Sequence, residues 1–436
     1  MIGQNVSRWT ISYFTVALGA FIAAQAIMMC GGSYPVVHFS LPSTLVTVHL
    51  LTIGWMSLLM IGALHQFVPV ITGGGAVGDQ GALFSLLTVP AGLSLMLVGF
   101  WGLGEGSLFR WCLQAGGAAV CVGVGVAIAG MGRTLWRARP LPLPARFVAA
   151  ALAYLGATVA VGLVLAITIT TSGLVPGGFA ARIVQTGLVI HLASGIAGWF
   201  TLTAMGVAYK LMAMFTLAPE ERGLVGRLTL LLGACGPLVV WLAGLLEIVT
   251  GLRWHALMWI GAAGFGLALL LYLYDMRLLF SQRKRRRLEL NASAAAASLG
   301  ALGVILLLAL VTAVARPDWM PALVYLYLFG WLSGLGLSQL YKIVPFLTWL
   351  QHYGSRIGRG TVPRVQELVD EARARPWFIA YFVGVAAAAA AALTGVGLLF
   401  QAASSLTLLA TLVIGRELWR ARTGYYVPQG QKGDLP

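Results

Sequence analysis

The chain has 436 residues, of which 59% are apolar and only 9% charged, and its formal net charge is +15. A soluble domain usually carries about 25% charged residues, so a water-soluble enzyme is excluded. The basic excess does not mark a nucleic-acid binder, because it sits in short loops between apolar runs, as in cytoplasmic loops that face anionic lipid.

From Trp9 to Thr72 there is no Asp, Glu, Lys or Arg. An apolar run of about 20 residues is what a bilayer span requires. On this basis the chain is all-α and polytopic, with about twelve spans. They are predicted over residues 10–30, 43–72, 81–103, 109–131, 145–171, 180–216, 224–249, 254–275, 293–315, 319–351, 377–395 and 398–415. The first has Arg8 ahead of it and Ala24 and Ala26 at the spacing of a signal-peptide cleavage site. Its length, and the membrane segments that follow, make it an uncleaved span. The four cysteines form no C-x-x-C pair, and no disulfide is implied. Residues 352–375, with Glu367, Asp370 and Glu371, read as a cytoplasmic surface helix. Residues 426–436 read as a disordered tail on a single membrane domain covering 1–425.

Orientation follows from Lys and Arg. Alternate loops hold Arg133, Arg137, Arg139 and Arg146, then Arg222 and Arg227, then Arg277 and the run Arg283 to Arg287, then Arg356 to Arg375. The other face has only Arg110, Arg182, Arg253 and Arg316. This places both termini in the cytoplasm of a bacterial-type inner membrane, with the lipid bilayer as the first partner.

Three spans share a pattern. Gly54-Trp55 is followed by His65-Gln66, Gly198-Trp199 by Tyr209-Lys210 and Gly330-Trp331 by Tyr341-Lys342, each pair beginning ten residues after the Trp. A recurrence every four spans predicts three arcs of four helices with pseudo-threefold symmetry. Trp55, Trp199 and Trp331 would then support equivalent positions. Lys210 and Lys342, near helix ends, read as snorkelling to the interface, and His65 as a packing and hydrogen-bonding residue.

Few side chains here can bind a metal or move a proton. An ionisable residue inside a span is a functional candidate by default, and neutral imidazole is a common metal and haem ligand. His49, His191 and His255 open spans two, six and eight, and His38 lies in the loop before the second. The alternative is one histidine per helix, hydrogen-bonded to a neighbour. Met28 and Met29 near His38 offer the soft ligands that favour copper, or simply pack. Glu247 stands as a partner orienting His255, or as an interfacial carboxylate paired with Arg253. Arg182, Arg253 and Arg316 would clamp haem propionates or phosphate, or face water. P-loop, H-E-x-x-H and C-x-x-C-H motifs are absent.

The segment His49-Leu50-Leu51-Thr52-Ile53-Gly54-Trp55, continuing to Phe67-Val68-Pro69, resembles the second helix of subunit I of the haem–copper oxidase superfamily. The likeness is greatest to cbb3-type oxidases and nitric oxide reductases. The resemblance implies that His49 is an axial haem ligand and that His191 lies on the helix that supplies a copper ligand. The tenth span, from Pro321 to Leu350, has no histidine where the family carries two, and the family's paired histidines on the seventh helix are missing too. The likeness therefore implies the fold more than the activity. Arg253-Trp254-His255-Ala256-Leu257 is similar to a segment of NnrS-like haem and copper membrane proteins, although their W-H-A-H-E segment is missing.

Three functions follow as expectations. The first is an oxidoreductase-type redox protein holding haem b or copper at His49 and His191 with His255 assisting. It would belong to a respiratory or nitric-oxide-related complex, with other subunits and a periplasmic c-type cytochrome or copper protein as partners, and would not by itself be a competent oxygen reductase. The second is a copper or haem transporter or chaperone that uses His38, Met28 and Met29 as its entry site. The third is a cofactor-free structural subunit of a membrane redox complex.

Overall fold

Backbone N–H and C=O groups in a hydrocarbon core have no water to bond, so an apolar chain closes its hydrogen bonds within itself. The computed structural model shows how this chain does so. It describes residues 9–38, 40–73, 78–171, 177–220, 222–354 and 362–423, and these contain helices and no strand. Twelve helices are long and apolar enough to cross a membrane. They are α1 (Thr10–Met29), α2 (Pro42–Thr72), α3 (Asp79–Trp101), α4 (Ser107–Arg137), α5 (Leu143–Thr170), α6 (Gly178–Thr216), α7 (Gly223–Thr250), α8 (His255–Ser281), α9 (Leu290–Val314), α10 (Pro317–Tyr353), α11 (Glu371–Thr394) and α12 (Gly397–Thr423).

All twelve expected spans are found. The largest differences are at ends near the basic loops, where α4 runs on to Arg137, α8 to Ser281 and α12 to Thr423. A cation in the last turn suits the helix dipole, as Arg137, Arg420 and Arg422 do here. Of the segment 352–375, read as a surface helix, residues 355–361 lie outside the described residues. Its described part holds the end of α10, a 3-10 turn, Val365–Leu368, and the start of α11. Asp370 opens α11, because its side chain caps the helix by accepting from the Arg373 N–H at 3.1 Å. The tail at 426–436 lies outside the described residues.

The chain divides into two compact units. One comprises residues 18–38 and the chain from Arg287 onward, including α9 to α12. The other comprises the start of α1 and everything from α2 to α8, and it holds both His49 and His191.

The three spans that share the Gly-Trp pattern share a backbone feature as well. Each switches from α- to π-helix around that dipeptide, over Leu50–Ser57 in α2, Ala193–Thr201 in α6 and Leu326–Ser333 in α10. The widened turn is explicit in the hydrogen bonds that reach five residues back, from the Leu58 N–H to the Ile53 carbonyl and from the Gly334 N–H to the Phe329 carbonyl. π-Helix is rare and concentrates at functional sites. Trp55, Trp199 and Trp331 are all at most 1% exposed, so the three indoles are core and not interfacial anchors.

Small residues let adjacent helices touch backbone to backbone, the usual packing in lipid. A methyl group on Gly116 would lie 2.6 Å from the Gly92 carbonyl oxygen, where α4 crosses α3. One on Gly261 would lie 2.6 Å from that of Gly236, where α8 crosses α7. At the basic-loop ends, polar groups are paired inside the protein. Arg222 meets Asp275 at 3.5 Å, with side chains 3% and 4% exposed. Lys210 bonds Glu220 at 2.6 Å and Lys342 bonds Glu289. Both lysines are therefore ion-paired near helix ends, the Lys210–Glu220 pair being partly exposed. The reason is an acid presented beside each, by the loop after α6 and by the residue before α9.

The crossing of α7 and α8 gives a stability test. Gly236→Val drives a side chain into the α8 backbone and should cost about 1–3 kcal/mol by overpacking. Gly264→Ala on α8 has nothing within 4 Å of its new methyl and should be neutral or stabilising by helix propensity. Thermal unfolding of the detergent-purified variants measures both.

Candidate functional site

His49 ends the α-helical part of α2, immediately before the π stretch. Its Nδ1 lies 2.8 Å from the Leu45 carbonyl oxygen, one turn back on the same helix. His191 stands two residues before the π stretch of α6. Its Nδ1 lies 3.0 Å from the Thr158 carbonyl oxygen on α5. A carbonyl oxygen only accepts, so in each bond the Nδ1–H donates. A neutral imidazole bonded in this way carries its lone pair on Nε2, the arrangement that metal-binding histidines use.

A hydrogen bond joins α2 to α6 beyond the two histidines. The Trp199 indole Nε1 donates to Ser57 Oγ at 3.1 Å, with both residues buried. Ser57 lies eight residues beyond His49, and Trp199 lies eight residues beyond His191. The joint therefore lies the same number of residues beyond each histidine. Both rings keep accessible surface. Phe100, near the end of α3 and 6% exposed, covers one face of His49 with ring centroids 4.6 Å apart.

The other candidates are placed as follows. Glu247 accepts from Thr186 Oγ1 at 3.1 Å and from the Trp254 N–H at 3.2 Å, and its carboxylate is 3.6 Å from His255 Nε2. It therefore holds the turn between α7 and α8 and meets His255, not Arg253. The His255 side chain is 60% exposed. Arg182 donates through Nε to the Ile248 carbonyl at 3.2 Å, closing the end of α7. Arg253 is exposed, and Arg316 is bonded to Asp318 at 2.7 Å. Met28 is buried, Met29 half-buried and His38 exposed. Their loop is fastened by Tyr34, whose hydroxyl donates to the Pro321 carbonyl at 2.7 Å. His65 is buried, with its ring 5.7 Å from that of Tyr13. In α10 the stretch without histidine is filled by aromatic packing, with Tyr325 and Phe329 stacked at 4.6 Å. Among the described residues no three His, Cys, Asp or Glu side chains form a metal-binding cluster.

Sequence reasoning missed Leu45, Phe100, Thr158 and Gly162 as neighbours of the histidines. Two of these act through backbone carbonyls, which leave no trace in residue type. It also passed over the hydroxyl two residues after each Trp, Ser57, Thr201 and Ser333. That extension of the Gly-Trp pattern is the signal that would have pointed to the Trp199–Ser57 joint.

No protein-family model matches the sequence, and no curated protein matches it at the sequence level. Its structure is similar to a chain of a heme-copper terminal oxidase dimer determined by cryo-EM. The TM-score is 0.64 at 12% identity, over 95% of this chain and 82% of that one. The fold therefore defines a multi-pass α-helical membrane protein of haem–copper-oxidase-like architecture, as the second-span resemblance implied.

The joint between α2 and α6 is testable by a double-mutant cycle. Ser57→Ala leaves a buried indole N–H without its acceptor and should cost about 1–3 kcal/mol. Trp199→Phe removes the same bond together with packing. Additive losses in thermal unfolding would show that the bond contributes nothing.

Proposed function

We propose that the chain is an oxidase-subunit-I-like redox protein of a bacterial inner membrane in which His49 and His191 hold haem b or copper. The observation that carries this reading is the pair of imidazoles that precede a common joint by eight residues, each with Nδ1 committed to a carbonyl, which leaves Nε2 for a ligand. Two neutral imidazoles in an apolar setting fit haem iron or a copper ion equally. When bound, such a group supplies one-electron transfer. The protein's own part is to orient both rings through Leu45 and Thr158, to pack Phe100 against His49, and to surround the pair with apolar helix.

The aromatic filling of α10 supports a role in electron transfer or assembly within a respiratory or nitric-oxide-related complex, rather than oxygen reduction by this chain alone. The π stretches at matching positions of α2, α6 and α10 support an internal repeat of three four-helix arcs. The loop basicity supports cytoplasmic termini, which leaves the histidine ends of α2 and α6 facing a periplasmic c-type cytochrome or copper protein. His255, steadied by Glu247, is the third imidazole on that side.

The test is an optical spectrum of the detergent-purified protein, oxidised and dithionite-reduced, with metal analysis of the same sample. A reduced b-type spectrum or stoichiometric copper is expected, and His49→Ala and His191→Ala should each lose most of it. A wild type without either cofactor would overturn the reading in favour of a structural subunit. Metal bound with no dependence on either histidine would move the site to His38 and Met29, as a copper transporter or chaperone requires.

A further inference from the structure

We propose that α5, a helix without a candidate ligand, determines where His191 presents its lone pair, with the Thr158 carbonyl as anchor and Gly162 as the opening that lets the ring reach it. The proposal rests on His191 as a ligand for its functional meaning, but its structural content stands alone.

The two histidines are held differently. His49 bonds a carbonyl of its own helix, four residues back, so its orientation survives any movement of α2 against its neighbours. His191 bonds a carbonyl on another helix, so its orientation exists only while α5 and α6 keep their register. The Thr158 side chain is not the partner, because its hydroxyl donates to the Tyr154 carbonyl at 2.7 Å. Within a helix, the side chain one turn further on shields a carbonyl from outside donors. For Thr158 that residue is Gly162. A methyl group there would lie 3.0 Å from His191 Cε1 and 3.4 Å from Nδ1, which is too close for the ring to stay where it is.

The rest of the seam keeps this register. Side chains of α5 fit against glycines of α6, with Leu165 at Gly187, Thr158 at Gly195 and Tyr154 at Gly198. Tyr154 also ties α5 to α7, donating to the Ala234 carbonyl at 2.5 Å. Only at Gly162 is the direction reversed, with α6 sending its imidazole into α5. The seam is thus built around the imidazole that α6 sends into α5.

The experiment uses the full-length protein labelled with 15N-histidine, in lipid and in the reduced state, in which either candidate metal is diamagnetic. Solid-state NMR distinguishes a protonated from a bare ring nitrogen, and His49→Gln and His191→Gln assign the signals. The wild type should show Nδ1–H at His191. Gly162→Ala should shift that signal or transfer part of it to an Nε2–H form, while the His49 signal, held by its own helix, stays in place. Gly156→Ala, whose methyl would make only an ordinary 3.7 Å contact with Ile128, should change neither. An unmoved His191 signal in Gly162→Ala, or equal shifts at both histidines, would overturn the proposal. A wild type without cofactor would remove the functional reading above but leave this result decisive. Where a cofactor is present, Gly162→Ala should also shift its absorption maximum and midpoint potential, which simple loss of stability would not do.

Discussion

The hydrogen bond from Trp199 to Ser57 fixes the relation between α2 and α6 on which the candidate site depends. Lipid offers little hydrophobic drive to register one helix against another. A single directed bond between buried partners therefore carries unusual weight in choosing the register. The bond lies eight residues beyond each histidine. The π-helical turns are part of the same device, since both bonded residues lie within them. Widening the helix around Gly54-Trp55 and Gly198-Trp199 sets the bulky indoles inward at the cost of a poorer backbone geometry.

Buried charges follow the rule that a membrane imposes, which is to be paired within the protein, whereas the buried His65, expected to hydrogen-bond, has no partner at either ring nitrogen among the described residues. Arg222 and Asp275 are nearly fully buried and face each other, and Lys342 and Glu289 are close to it. Replacing either partner alone would strand a charge, so such pairs define a unique arrangement more than they add stability. The histidine pair differs from these. Each ring bonds a backbone carbonyl through Nδ1 and has no acid beside it among the described residues.

The sequence made the twelve spans legible because charge-free runs longer than a bilayer have almost no other explanation. His49 and His191 were legible for a related reason, being among the few titratable groups inside those runs. What orients them was not. Thr158 acts through its carbonyl and Gly162 through the lack of a side chain, and neither property distinguishes one threonine or one of 55 glycines from another. The partners of Lys210 and Lys342, Glu220 and Glu289, were not legible because they come from other segments, one of them 53 residues away. Within 352–375 the start of α11 was not legible, because it is set by the capping bond of Asp370 rather than by composition.

The most direct test of the central claim is a cryo-EM map of the protein purified without added cofactor, at a resolution that separates ring atoms from bound groups. The account predicts one continuous feature that belongs to neither chain nor water and meets Nε2 of both His49 and His191. Two imidazoles whose Nε2 atoms bond only to water or to protein, with no such feature between them, would contradict it.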